Sequence, residues 1–131
     1  MHSSIVGTWR LVGGAATFED GTTAPPPYGG EKAMGRVTFD ADGRMMAVLC
    51  DGRPTLPDGA PREYSSYCGN YTFDGKRLVT RVDATSDAGR LSGDQVREVS
   101  FEGGCMVFRH TTRRADGRIH REMSWQKISD V

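Results

Sequence analysis

The sequence contains no stretch approaching the roughly 18 consecutive apolar residues of a membrane-spanning helix. Its start, MHSSIVGTWR, lacks the basic segment and apolar run of a secretory signal. A leader already removed from a mature chain stays compatible with that start. Net charge is missing as well: 17 basic residues balance 17 acidic ones, so no overall field draws the chain toward nucleic acid or an anionic membrane. The cysteines, Cys50, Cys68 and Cys105, are odd in number and lack C-x-x-C spacing. Neither a disulfide framework nor a zinc site is suggested, and they read as reduced, buried thiols of a cytoplasmic protein. No window of roughly twelve residues carries a clean 3.6-residue apolar period, which argues against long amphipathic helices. A Gly-rich phosphate loop, a G-x-S-x-G elbow and an H-E-x-x-H motif are all absent, so no cofactor or metal is implied. Lysine is scarce, and arginine supplies most of the positive charge, which suits forked carboxylate recognition as well as a compositional bias.

What is present is a chain of 131 residues, one domain's worth, long enough to build one core without staples. Turn residues abound, with 17 glycines and six prolines. Asp-Gly, a hairpin signal between strand-like runs, occurs at Asp20-Gly21, Asp42-Gly43, Asp51-Gly52, Asp58-Gly59, Asp74-Gly75 and Asp116-Gly117. The runs between such turns read as strands at Ile5–Val12, Gly35–Asp40, Arg44–Cys50, Tyr64–Phe73, Lys76–Ala84, Gln95–Glu102, Cys105–Thr112 and Arg118–Ile128. Two longer connections, Gly13–Met34 and Asp51–Arg62, each hold three prolines, which forbid helix and central strand. They are either lids and site walls or plain ordered coil. Eight antiparallel strands in sequence bury one face and lose their edges by closing up. The expectation is an all-β, eight-stranded up-and-down antiparallel β-barrel with little helix, spanning residues 1–131 as a single domain. Such a barrel is either filled by side chains or holds one small ligand.

The first strand, Gly7-Thr8-Trp9-Arg10-Leu11-Val12, carries a Gly-x-Trp that resembles the lipocalin and calycin signature, where the Trp plugs one barrel end. PYGG around Tyr28, GRVTFDADGRMMAVL (Gly35–Leu49) and YCGNYTFDGKRLVTRVD (Tyr67–Asp83) extend the likeness, as does the tail from Val96–Gly104 to Met123–Ile128. Together these segments resemble the small bacterial lipocalin-like domain family of calycin-type β-barrels, over nearly the whole chain. Secreted lipocalins are longer and add a helix after the last strand, whereas this sequence stops a few residues after Trp125. Their arginine over the plugging Trp has three candidate counterparts here: Lys127, Arg121 or Arg118. Fatty-acid-binding proteins share the GTWxLV start, but they insert a helix pair where this chain has Pro25-Pro26-Pro27. The resemblance implies a fold more than a chemistry.

Strand alternation sorts the side chains into two faces. Inward placement of Trp9 brings Leu11 with it. Phe108 and Met106 take His110 inside, Val99 and Phe101 take Arg97, and Met123 and Trp125 take Arg121. Tyr67, Tyr71 and Phe73 share a face provided no bulge intervenes at Gly69. Leu78, Thr80 and Val82 point in, with Arg81 outside, unless the register slips. Few acidic residues fall on these faces, so Arg97 and Arg121 are expected unpaired, either binding a ligand's anion or snorkelling at a barrel mouth. His110 is the acid–base candidate, because imidazole titrates near neutrality, and Tyr71 is the candidate to polarise a carbonyl. Arg97, Arg121, Tyr67, Phe108, Met123 and Trp125 are the candidate substrate contacts. His120 falls outside and His2 in a frayed terminus.

Three functional readings follow. In one, a cofactor-independent isomerase, lyase or hydratase acts on a small hydrophobic or aromatic compound bearing an anionic or carbonyl group. In another, the same barrel is a carrier or sensor of such a ligand. In the last, the interior is packed solid and an outer face serves a homodimer. No nucleic-acid or membrane partner is expected.

Overall fold

The eight strands, in the computed structural model of the chain, are β1 (Gly7–Phe18), β2 (Ala33–Phe39), β3 (Arg44–Asp51), β4 (Tyr64–Phe73), β5 (Arg77–Thr85), β6 (Asp94–Glu102), β7 (Cys105–Arg114) and β8 (Gly117–Ser129). The structure describes residues 5–114 and 117–130; His2, Ala115, Asp116 and the Arg114 side chain lie outside it. Each strand pairs antiparallel with the next and β8 returns to β1, so the barrel is closed and up-and-down as expected. The tight hairpins are fixed by their aspartates. Asp40 Oδ1 accepts from the amides of Asp42 and Arg44, and Asp74 Oδ1 from those of Lys76 and Arg77. Among the described residues no helix is long and apolar enough to cross a membrane.

Strand bounds fall close to the expected ones except at the end of β1, which runs on to Phe18 rather than stopping at Val12. A register shift between Leu11 and Gly13 leaves Val12 as an extra residue and bends the strand. Beyond it, β1 pairs with β8 through Phe18↔Ile119, while its ladder to β2 covers only Gly7 to Arg10. A slot is left between β1 and β2. It is filled by the proline segment, whose Pro27 lies so close that a Cβ on Gly14 would stand 3.2 Å from its ring.

Alternation survives along β4. The irregularity at Gly69 adds its extra residue to β5, so Tyr67, Tyr71 and Phe73 all stay buried. Gly69 permits this because a Cβ there would lie 2.0 Å from the Arg81 carbonyl oxygen. On β5, Leu78, Thr80 and Val82 are buried, and Arg81 is outside, paired with Asp94.

The half of the barrel nearest the hairpins at 40–43 and 74–76 is solid. Phe39 stacks edge-on against Tyr71 at 5.0 Å, and Trp9 donates its indole N–H to the Ile5 carbonyl at 3.0 Å. Lys127 Nζ stands 5.5 Å over the Trp9 ring, which selects it from the three cations considered for that place. Phe101 keeps the inward parity of Val99 but sits at the rim. It is 47% exposed, with its ring 6.4 Å from Trp9 and 6.5 Å from Phe73. A wholly packed interior is ruled out by the other half, which holds a cavity.

Candidate functional site: a polar tier over an aromatic floor

The β7–β8 register sets the site in tiers. His110 faces Arg121, Phe108 faces Met123, and Met106 faces Trp125. On β6, Val99 lies beside Phe108, so Arg97, two residues on, shares the His110 tier. A polar tier of Arg97, His110 and Arg121 therefore stands above an apolar one. Between them opens a cavity of about 260 Å³, lined also by Leu49, Tyr67, Trp125, Tyr28 and Thr112. Phe108 and Trp125, 5.6 Å apart, make its floor.

Charge inside this cavity does not balance. Three guanidinium groups line it (Arg90, Arg97 and Arg121), against two carboxylates, Glu63 and Asp87. Glu63 takes Arg121 at 2.9 Å, and Asp87 takes Arg90 at 3.5 Å. Part-buried Arg97 donates only to the Val96 carbonyl, at 2.9 Å, and has no carboxylate within ion-pair distance among the described residues. Desolvation lowers its pKa, which records the cost of holding that charge. The same desolvation, reinforced by Arg97, Arg121 and Arg90, pulls His110 down to about 3. His110 is neutral at ordinary pH.

Hydrogen bonding is also incomplete. Among the described residues, four buried side-chain atoms have no partner: His110 Nδ1, Thr112 Oγ1, Arg121 Nε and Trp125 Nε1. All four belong to residues that line this one cavity. Buried polar groups are otherwise paired as a rule, since an orphan costs about 1–3 kcal/mol. The larger open recess on the outer face of β1–β5, lined by Met46, Val48 and Cys68 among others, holds none of these orphaned atoms.

The first proline-rich segment brings Tyr28 to the cavity, and it is braced to the second one. Glu63 accepts from the Tyr28 amide at 2.7 Å while its other oxygen holds Arg121. Buried Asp51 grips Arg53, and Arg62 donates to the carbonyls of Asp51 and Arg53, both at 2.7 Å. Hydrogen bonds from Arg53 hold the Asp51 carboxyl below its ordinary pKa. Gly52 N–H reaches across to Lys32 O at 2.9 Å. Gly29 is required here: its φ is +81°, and a Cβ would meet Asp51 Oδ1 at 2.4 Å. Tyr28 takes the left-handed region at φ 56°, a conformation costing a non-glycine residue about 1–2 kcal/mol, so as to bury its ring beside Arg121. Burial raises the pKa of the Tyr28 and Tyr67 hydroxyls, which stay protonated.

Of the residues singled out in the sequence, the structure gathers His110, Arg97, Arg121, Tyr67, Phe108, Met123 and Trp125 around the cavity. Tyr71 is not among them. Its hydroxyl donates to the Asp40 carbonyl at 2.7 Å in the plugged half. The expectation that Arg121 is unpaired is also overturned, because Glu63 reaches it from a loop that strand parity cannot assign. Tyr28, Glu63 and Arg90 were missed for that reason. Thr112 was within reach, since it shares parity with Phe108 and His110. His120 is exposed as expected, with Nδ1 2.8 Å from Thr111 Oγ1.

A closed meander of eight strands, plugged by a tryptophan at one end and hollow at the other, is a barrel of the class with room for one small molecule. The chain belongs to the lipocalin-like domain family, whose model matches residues 6–128. Comparison with curated proteins and with solved structures gives no match. The family and the barrel fit ligand binding.

Proposed function

We propose that the protein binds a compact, largely apolar or aromatic molecule carrying one negative charge, with its anionic group on Arg97 and its body over Phe108, Met123 and Trp125. The observation that carries this reading is that one cavity is lined by an uncompensated guanidinium and by all four residues whose buried side-chain polar atoms lack a partner among the described residues. One surplus positive charge calls for a monoanion, and Arg suits a carboxylate through its forked donors. The cavity, at about 260 Å³, lies just under the roughly 300–1,000 Å³ of drug-sized sites, so the ligand is small.

A second reading, proton transfer by His110 in an isomerase, lyase or hydratase reaction, has one observation in its favour. His110 Nδ1 is buried and free beside the anion-binding tier. An imidazole held near pKa 3 is a weak base, but an anion seated on Arg97 offsets the positive field and raises it. No carboxylate among the described residues orients the ring, however, which favours carrier or sensor over enzyme.

The test is a thermal-shift screen of small aromatic and aliphatic carboxylates beside matched amides. Each stabilising compound is then recovered and compared by mass and retention time. Stabilisation by carboxylates, lost in Arg97→Met, is expected. Equal stabilisation by the amides would sink the anion reading. Conversion of a bound compound by wild type, abolished in His110→Gln, would replace the carrier reading with the enzymatic one.

A further inference from the structure

The anion-binding reading, on which this inference rests, accounts for Arg97 but not for the deepest of the orphaned atoms. Trp125 is 1% exposed, its ring forms part of the cavity floor, and its Nε1 has no partner. An indole N–H can only donate. The other tryptophan shows what the fold does when nothing else is required: Trp9, 4% exposed, gives its N–H to the Ile5 carbonyl. Trp125 sits four residues from Arg121 along β8, a Cα separation of about 13 Å in an extended strand, with the Met123 tier between them. One anionic group at the Arg97–His110–Arg121 tier therefore does not also satisfy a donor at the floor.

We infer that the ligand is bifunctional, an anionic group at one end and, across an apolar spacer, a neutral hydrogen-bond acceptor, a ketone or similar carbonyl, that receives the Trp125 N–H. A purely hydrocarbon tail leaves that donor unpaired in the complex, whereas an oxo-acid satisfies both ends. Discrimination arises here because a site holding an unfilled polar group disfavours the isostere that cannot fill it. Of the four orphans, Arg121 Nε and Trp125 Nε1 are obligate donors, so the ligand is rich in acceptors rather than in N–H groups.

The test uses two pairs of isosteric carboxylates of different reach: 4-oxopentanoate with 4-methylpentanoate, and 4-acetylbenzoate with 4-isopropylbenzoate. Dissociation constants are measured by calorimetry for wild type and Trp125→Phe. In at least one pair the ketone is expected to bind wild type about tenfold more tightly than its isopropyl partner. In Trp125→Phe the ratio of the two affinities should shrink to about twofold or less, because the lost ring contact weakens both compounds alike while only the ketone also loses a donor. Equal wild-type affinity within both pairs overturns the bifunctional ligand and leaves the anion reading standing. A preference that persists in Trp125→Phe assigns the acceptor to another donor and overturns the role of Trp125. If carboxylates bind no better than their amides in wild type, the anion reading fails and this inference goes with it.

Discussion

Two tryptophans, each almost wholly buried, divide the barrel into halves built on opposite rules. Around Trp9 the indole donates to a backbone carbonyl, a lysine covers its ring, and phenylalanines fill the space to the rim. Around Trp125, among the described residues, the indole donates to nothing, a cavity stands beside it, and one arginine lacks a counter-charge. The first arrangement maximises stability. The second leaves several kcal/mol unclaimed until something enters, and this is how binding free energy can be stored in a closed fold. On the proposed reading, stability and ligand binding are segregated along the barrel axis.

The contrast can be broken from either side. Trp9→Ala should cost about 3–5 kcal/mol of unfolding free energy, measured by urea titration, because it empties the plug. Acid comes next. His110 binds its proton about pH 3 when folded and near 6.5 when unfolded, so the unfolded chain holds more protons between those limits. Its contribution is fully present above about pH 6.5 and is lost as the pH falls toward 3. Stability should thus drop by on the order of a few kcal/mol over that interval. His110→Gln should flatten the slope between about pH 6.5 and 4.5, above the range where the carboxylates enter; an unchanged slope would contradict the burial of a neutral ring.

The same substitution at both tryptophans gives a finer comparison. Trp9→Phe orphans the Ile5 carbonyl and should cost about 1–2 kcal/mol more than Trp125→Phe, which deletes an N–H that had no partner. The smallest effect has the opposite sign. Arg97→Met should raise stability by about 1 kcal/mol, read as an increase in Tm, while abolishing the response to carboxylates. A loss of stability at Arg97 would mean that its charge is structurally compensated after all.

Most of the barrel was legible because period-two alternation propagates reliably from one anchor. Trp9 fixes Leu11, Phe108 fixes His110, and Trp125 fixes Met123 and Arg121. Alternation gives a face, however, and not a depth. Tyr67 and Tyr71 share a face, but four residues of strand separate them by about 13 Å, which puts one beside the cavity and the other in the plug. Parity also fails across a bulge. The shift after Leu11 hid the second half of β1, whose Gly13-Gly14-Ala15-Ala16 has no large side chain to mark a strand. Residues held by loops carry no period at all, so Glu63, which cancels Arg121, and Tyr28, which roofs the cavity, left no signal beyond a Pro-flanked aromatic and an isolated acid.

The slot between β1 and β2 makes part of the cavity wall separable from the strand ladder. The barrel ladder ends at Arg10 on that side, and the segment that fills the gap contributes Tyr28 to the cavity without carrying any strand of the closed sheet. Change in it is limited by Ala24, whose amide donates to the Ala16 carbonyl of β1, and by Gly29, where Asp51 leaves no room for a side chain. Within those limits, a substitution at Tyr28 changes the roof of the cavity while the eight strands keep their pairing.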